Sequence, residues 1–339
     1  MTGKPRQRGQ THGEQLRTQI ASILDRWRVD IEQETRLPSN DYIDRFIAET
    51  KFVSAIERWA PSLLEEVRGL AEGATQDFKT MLAFQCMDED WWFRESLLSR
   101  AHCSAFGIYG EDHPSLLAQN MDIHTMADGF QMLLHIDYEQ FRAYVFSFAG
   151  FLGLAGLNSH ALGVCVNTLS QLNTSIVGLP VAFIVRSLLE QVNLQDAERF
   201  LHSIQHASGQ NYMIGDKNEI RDFECSANIV SQFSGHDKRL WHTNHPLVND
   251  DYQPGEKERT GRSFNTDSHR RLDLLKSKLS TGEVNTNTIK ETLRTSPICV
   301  HPKDNFFTSG SLVMTLSSSP SLEITASPPS QSEYKMFRF

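Results

Sequence analysis

The sequence predicts an α+β layered sandwich with a helical N-terminal region, and three observations carry that expectation. Up to Arg100 the chain reads as charged amphipathic helix, and from Cys103 it changes abruptly to glycine-punctuated, β-branched and aromatic segments that read as strands. The strands are then interrupted by a pair of helices and resume. That order fits stacked sheets with segregated helices better than a βαβ alternation.

The helical half reads as follows. The opening dozen residues, 1–12, are polar and are expected to be disordered. From Gly13 to about Glu34, apolar residues at Leu16, Ile20, Ile23, Leu24, Trp27 and Ile31 recur at helical spacing. A second helix begins near Ser39-Asn40-Asp41, a good N-cap cluster, and turns Tyr42, Ile43, Phe46 and Ile47 inward. Pro61 suits the start of a third, Ser62 to Leu70, with Gly69 and Gly73 punctuating its end. A fourth, Thr75 to Leu98, contains Asp88-Glu89-Asp90-Trp91-Trp92. Three adjacent acids do not make a cation site, which needs oxygens converging from several turns or a bent loop, so the run reads as a solvated face beside two tryptophans.

After Cys103, strands are expected at Ser104–Tyr109, Leu116–Ile123, Phe130–Ile136, Tyr144–Phe148 and Ala161–Thr168, joined by Gly, Asp, His and Asn turns. Helices follow at Pro180 to Val192 and from Gln195 to Ala207. Further strands are expected at Gln210–Ile214, Asp222–Phe233 and Leu240–Thr243. Asn249 to Asn265 is a polar loop. Ser268–Leu279 and Asn287–Leu293 read as short helices, and Ser311–Leu316, Leu322–Ala326 and Tyr334–Phe339 as closing strands.

Composition bounds the function. The 339 residues carry a net charge of −9, which argues against a nucleic-acid partner, for which a basic face is expected. The basic first nine residues are not followed by an apolar run, so no secretory signal peptide is expected. The most apolar tract, Val145 to Leu157, is broken by Ser147 and three glycines and is too short to span a bilayer, so it is core. Cys86, Cys103, Cys165, Cys225 and Cys299 are odd in number, widely spaced and free of any CxxC pair. That usage fits a reducing, cytoplasmic setting rather than a disulfide framework or a zinc site.

The motifs for dinucleotide and P-loop binding, the GxSxG elbow and HExxH are absent. His242-Thr243-Asn244-His245 has HxxH spacing but no evident third ligand, so it is not read as a metal site. The asparagine within it is more telling, because a side-chain amide supplies fixed donors for the oxyanion of a tetrahedral intermediate. Cys103 sits on the seam between the two halves. A lone cysteine is more often a small buried hydrophobe than a nucleophile. At the first position of a strand, however, a cut just before it would give the thiol a base of its own, the α-amine, with a reference pKa of roughly 7.7–8.0.

Four stretches in order, Cys103-Ser104-Ala105-Phe106, Gln119-Asn120-Met121-Asp122, Gln210-Asn211-Tyr212-Met213-Ile214-Gly215-Asp216 and His242-Thr243-Asn244-His245, resemble the acyl-coenzyme A:6-aminopenicillanic acid acyltransferase family of N-terminal-nucleophile hydrolases. Glu66-Val67-Arg68-Gly69-Leu70-Ala71-Glu72-Gly73 resembles the family's stretch ahead of the nucleophile. The resemblance runs over about residues 40–325. It implies a four-layer αββα sandwich, made as a precursor that cuts its own His102–Cys103 bond into a helical pro-region, 13–102 behind the tail, and a catalytic region, 103–339. The two fragments stay together as a heterodimer, and higher assembly is left open.

On this resemblance Cys103 is the nucleophile, forming a thioester with a small N-acylated amine, amino acid or peptide and passing the acyl group to water or another acceptor. Asn244 matches the oxyanion-hole asparagine and Asp122 the acid of the QNxD motif. Arg270 and Arg271 are candidates for a basic partner of Asp122, and Asn120 and Asn211 for supporting roles. No metal, organic cofactor or membrane is implied. His102 stands where the family commonly has glycine, and Ser104 where threonine is frequent. Two other readings stay open: an unprocessed thiol hydrolase pairing Cys103 with His242 or His245, and a catalytically silent binding protein.

Overall fold

The computed structural model describes residues 1–94, 103–256, 266–302 and 306–339. The N-terminal region is helical: α1 (Pro5–Gln15), α2 (Arg17–Thr35), α3 (Ser39–Glu49), α4 (Phe52–Trp59), α5 (Pro61–Ala74), α6 (Phe78–Gln85) and α7 (Met87–Phe93). The first twelve residues are therefore not a disordered tail. Their helix was hidden by its polarity, because what it buries against α5 is glycine rather than a hydrophobic stripe. Gly9 and Gly13 of α1 face Gly69 and Gly73 of α5 so closely that a Cβ on Gly69 would lie 1.9 Å from the Arg6 carbonyl oxygen, and one on Gly9 1.8 Å from that of Glu66. Gly69 and Gly73 thus lie inside α5 and receive α1, instead of ending the helix near Leu70.

This contact carries a buried ion network. Glu66, 2% exposed, takes Arg8 at 3.0 Å and Arg186 at 2.9 Å. Burial pushes the Glu66 carboxyl up, but Arg186 and Arg8 together hold it below the usual range. Arg186 also donates to the Tyr138 hydroxyl and the Leu152 carbonyl, which ties the helical region to the strand-rich part. Trp27, Phe84, Phe148 and Phe151 stack edge-on or offset across the same boundary.

Two antiparallel sheets form the middle layers. One has the order β10-β1-β2-β11-β12-β13: β10 (Arg239–His242), β1 (Ser104–Ile108), β2 (Ser115–His124), β11 (Phe306–Leu316), β12 (Ser321–Thr325) and β13 (Lys335–Arg338). The other is a seven-stranded meander of β3 (Gln131–Asp137), β4 (Arg142–Phe148), β5 (Ala155–Asn158), β6 (Gly163–Thr168), β7 (Gln210–Gly215), β8 (Ile220–Cys225) and β9 (Val230–Phe233). β1 and β2 pack on β6 and β7 face to face. Helices α8 (Val181–Leu189) and α9 (Leu194–Ser203) cover the outer side of the meander, on β5, β6 and β7. Helices α10 (Thr266–Leu279) and α11 (Thr286–Leu293) cover β10, β1, β2 and β11. The result is the αββα sandwich.

Strand alternation sorts side chains between layers. Phe106, Ile108, Leu116 and Ala118 join Leu272, Leu275 and Leu293 under the α10–α11 layer, whereas Cys103 and Ala105 belong to the inter-sheet core. Two of these elements depart from expectation. The long fourth helix breaks at Cys86 into α6 and α7. The single strand Asp222–Phe233 is the β8–β9 hairpin, turned at Ser226. Residues 95–102 and 257–265, which include His102 and the end of the polar loop, lie outside the described residues. No helix among the described residues is long and apolar enough to cross a membrane.

The α1–α5 contact is tested by Gly69→Val. The added branches have only backbone to displace, so urea denaturation is expected to show a loss of about 1–3 kcal/mol or more.

Candidate active site

Cys103 stands immediately before β1 and is 3% exposed. β1 lies between β10 and β2, pairing Ala105 with His242 and Ser104 with Asn120, so strand order brings the 242–245 segment and the QNMD stretch to either side of the cysteine. The thiol points toward the Met121 sulfur at 3.5 Å and the Asp122 carbonyl oxygen at 3.8 Å. Its pKa is pushed up to about 12, chiefly by burial and then by the Asp122 carboxylate. The Asp122 backbone contact and Arg271 oppose the rise, and Asp88 adds to it. In the intact chain at neutral pH the sulfur is therefore a thiol and a poor nucleophile.

Arg271 reaches in from α10 and is fully buried. Its guanidinium donates to the Cys103 carbonyl at 2.5 Å, the Ser104 hydroxyl at 3.0 Å, the Asn244 side-chain oxygen at 3.1 Å and Asp267 at 3.2 Å. These groups, and not the Asp122 carboxylate, are its partners. Asp122 accepts instead from the Thr308 hydroxyl of β11 at 2.6 Å. Arg270, one residue away on the same helix, is exposed and takes no part.

Asn244 is held at four points. Its backbone N–H donates to Ser268 at 2.8 Å, its carbonyl accepts from Gln171, its side-chain oxygen faces Arg271, and its side-chain NH₂ donates to the Thr168 carbonyl at 3.0 Å. Of the supporting candidates, Asn120 points away from the cysteine. It donates to the Leu293 and Ile298 carbonyls and accepts from Ser311, so it fastens α11 to the sheet. Asn211 is fully buried opposite Asn167. The Asn211 side-chain oxygen and the Asn167 side-chain nitrogen have no partner among the described residues. Asn167 escaped the sequence reading; the available signal is a single amide in the otherwise apolar run Val164-Cys165-Val166.

The two histidines are accounted for without a metal. His242 has an acceptor at each ring nitrogen, Glu224 at 2.8 Å and the Thr243 carbonyl at 2.8 Å. An acceptor at each nitrogen favours the charged form of the ring, in which both nitrogens donate. Burial lowers its pKa, but Asp222 and Glu224 carry it above the ordinary value. His245 sits on Ser268 at 2.8 Å and on the His269 ring, with its pKa pushed down to about 3, mostly by burial. Among the described residues no cluster of His, Cys, Asp and Glu is arranged to hold a metal.

Beside the thiol lies a cavity of about 40 Å³, space for roughly three water molecules. Its wall is mainly apolar, with Trp91, Phe148, Phe151, Leu154 and Val185. Its polar groups are Asp88, Asp122, Thr168 and Gln210. Asp88 is the second residue that sequence reasoning missed. The run Asp88-Glu89-Asp90 is not a solvated face: Glu89 and Asp90 are fully buried. Asp90 accepts from Tyr42 at 2.6 Å and Trp27 at 3.3 Å, with Arg94 at 3.1 Å, and Glu89 accepts from Ser208 and the Val181 N–H. Each acid found its own buried partners, which a reading of local charge does not reveal.

The family model described as acyl-coenzyme A:6-aminopenicillanic acid acyl-transferase matches residues 109–311, a span that holds Asp122, Asn211, Asn244 and Arg271. Among solved structures, a mutant conjugated bile acid hydrolase from Clostridium perfringens aligns with a TM-score of 0.44 at 12% identity, over 70% of this chain and 97% of that one. Penicillin V acylase from Agrobacterium tumefaciens aligns with a TM-score of 0.41 at 12% identity, over 70% of this chain and 86% of that one.

The electrostatics are open to a direct check. Asp122→Asn removes one of the charges that raise the Cys103 thiol, so its pKa should fall and its thiolate fraction at pH 8 should rise. Iodoacetamide alkylation of the Cys103 peptide in the intact chain, followed by mass spectrometry, is expected to run several-fold faster in the variant. An equal or slower rate would contradict the assignment.

Proposed function

Since the chain belongs to the acyl-coenzyme A:6-aminopenicillanic acid acyl-transferase family, whose enzymes act on amide bonds, we propose that it is a self-processing cysteine amide hydrolase with acyl transfer as a second activity. The observation that carries this is the setting of Cys103: at the head of a central strand, its carbonyl and the Asn244 amide are bridged by one buried guanidinium, while its thiol is too basic to act unaided.

In the proposed maturation, the Cys103 thiol adds to the His102 carbonyl carbon, and its proton ends on the departing Cys103 nitrogen. The C–N bond to Cys103 then breaks as the acyl group passes from nitrogen to sulfur, and water hydrolyses the resulting thioester. The products are a carboxylate at His102 and a free α-amine on Cys103. That amine supplies the missing base, since its reference pKa of roughly 7.7–8.0 lies near working pH. In turnover it takes the thiol proton as sulfur attacks the substrate carbonyl, and returns it to the leaving amine. The acyl-thioester then goes to water, the acceptor always present. Asn244 is the oxyanion donor in this scheme. Its side-chain oxygen is fixed by Arg271, which leaves the NH₂ as the end that can donate, and the Thr168 carbonyl holds one of its two hydrogens.

The substrate class proposed is a small N-acylated amine, amino acid or peptide. The cavity is lined by Met87, Asp88 and Trp91 from one side of the His102–Cys103 bond and by residues of β2, β4, β6 and α8 from the other. This supports fragments 1–102 and 103–339 working as a heterodimer. Pairing of Cys103 with His242 or His245 is less favoured, because both ring nitrogens of His242 are engaged by Glu224 and the Thr243 carbonyl and neither ring lines the cavity.

Purified protein on a denaturing gel is expected to show two fragments, the larger beginning Cys-Ser-Ala-Phe, and Cys103→Ala is expected to stay intact. A wild-type chain that remains whole yet hydrolyses amides would overturn self-processing. For the processed enzyme, Asn244→Ala is expected to lower kcat by about two to three orders of magnitude with KM little changed, the signature of a lost oxyanion donor.

A further inference from the structure

The Cys103 cavity has a polar corner that the scheme above does not use. Asp88 of α7 lines it together with Thr168 of β6 and Gln210 of β7. One Asp88 oxygen accepts from the Thr168 hydroxyl at 3.0 Å and from the Gln210 amide at 3.4 Å. Both donors are neutral, and among the described residues no Lys, Arg or His stands within ion-pairing distance of Asp88. This sets it apart from its neighbours on α7. Asp90 has Arg94 at 3.1 Å, and Glu89 is pushed up to about 8 by burial and by Asp88 itself, so that it carries a proton at neutral pH. Burial raises the Asp88 carboxyl as well, against the hydrogen bonds from Thr168 and Gln210, and of the three acids Asp88 alone lines the apolar chamber.

A carboxylate enclosed by Trp91, Phe148, Phe151 and Val185 without a counter-cation is costly to hold, and is normally paired. The space beside it is of the right order for an ammonium group, which is close to a water molecule in size. Position narrows the ligand further. Thr168 gives its hydroxyl to Asp88 and its carbonyl to the Asn244 side chain, so a single residue separates the acid from the proposed oxyanion donor. A cation bound at Asp88 would lie only a few bonds from the reacting carbonyl.

We infer that Asp88 is a specificity residue that pairs with a protonated amine carried by the substrate close to its scissile amide. This inference rests on the proposal that Cys103 is the nucleophile. The amine belongs either to the acyl half or to the leaving half of the substrate, and the same carboxylate serves both.

The test uses the purified chain as it matures and needs no knowledge of the natural substrate. Cys103 is labelled with 2-aminoethyl methanethiosulfonate, which is cationic, and with methyl methanethiosulfonate, which is neutral. Each rate is read on the Cys103 peptide and divided by that of a free thiol. Wild type is expected to favour the cationic reagent by about tenfold, and Asp88→Asn to abolish that preference while Asp88→Glu keeps most of it. A preference that is absent in wild type, or that survives Asp88→Asn, would overturn the inference with the nucleophile still standing. Failure of Cys103 to react with either reagent would instead remove the nucleophile, and the inference with it.

If the cationic preference holds, paired anilides separate the two sources. An aminoacyl anilide compared with its des-amino acyl analogue tests the acyl half. An acyl amide of an aminomethyl-substituted aniline compared with its methyl analogue tests the leaving half. Loss of the kcat/KM advantage in Asp88→Asn for one pair assigns the amine to that half. Loss in neither pair would overturn the inference.

Discussion

The buried guanidinium of Arg271 is the constraint on which the rest of this site depends. An arginine out of water is tolerable only where its donors are matched, and here they are spent on the Cys103 carbonyl, the Ser104 hydroxyl, the Asn244 amide oxygen and Asp267. The planar fork fixes the first residue of β1 relative to the segment that leaves β10. It also decides which way the Asn244 amide faces, because a guanidinium accepts no hydrogen bonds and so selects the oxygen, leaving the NH₂ toward the Thr168 carbonyl. A lysine would hold the charge but not the three-way geometry.

Behind Asn244 stands a second buried charge. Glu224 of β8 takes His242 on one oxygen at 2.8 Å, together with the N–H of Leu247, and takes the N–H groups of Val248 and Asn249 on the other. The segment from 242 to 249 is therefore anchored at both ends on one carboxylate, with Asn244 between. Burial raises the Glu224 carboxyl, but His242 and the backbone donors bring it below its usual range. The pair accordingly remains ionised in the core and joins the two sheets, β10 to β8. The HxxH spacing is thus a by-product of this support: the first histidine is a strut between sheets and the second packs on Ser268 and His269.

How much of this was legible in the sequence follows from where each signal resides. The sandwich was legible because strand alternation and turn chemistry are local: β1 to β4, β6 and β7 fall within a few residues of expectation, whereas the short β5, in a glycine-broken apolar tract, was not foreseen. Cys103, Asp122 and Asn244 were legible through short motifs, and the structure brings them to one place. Arg271 was legible only as a residue type, since nothing in its helix distinguishes it from Arg270 until the fold buries one and exposes the other. The first helix was not legible: a hydrophobic pattern cannot report packing achieved by absent side chains. The buried acids of α7 failed for the opposite reason. A run of charge is locally a solvated face, and only distant residues such as Tyr42, Thr168, Ser208 and Gln210 make burial affordable.

Those acids also change what the helical half is for. Met87, Asp88 and Trp91 reach the wall of the Cys103 cavity from a helix that ends ten residues before the cysteine. A chamber closed on one side by Phe148, Phe151 and Val185 and on the other by α7 is shared property of the two halves of the chain. The position of α7 is in turn set by the partners of its acids. Asp90 anchors it to α2 and α3 through Trp27 and Tyr42, and Glu89 and Asp88 anchor it to the meander through Ser208 and Thr168. The seam at residue 103 is therefore a boundary in sequence texture alone. In three dimensions the structure is continuous across it, and the groups that surround the sulfur are held in place from both sides.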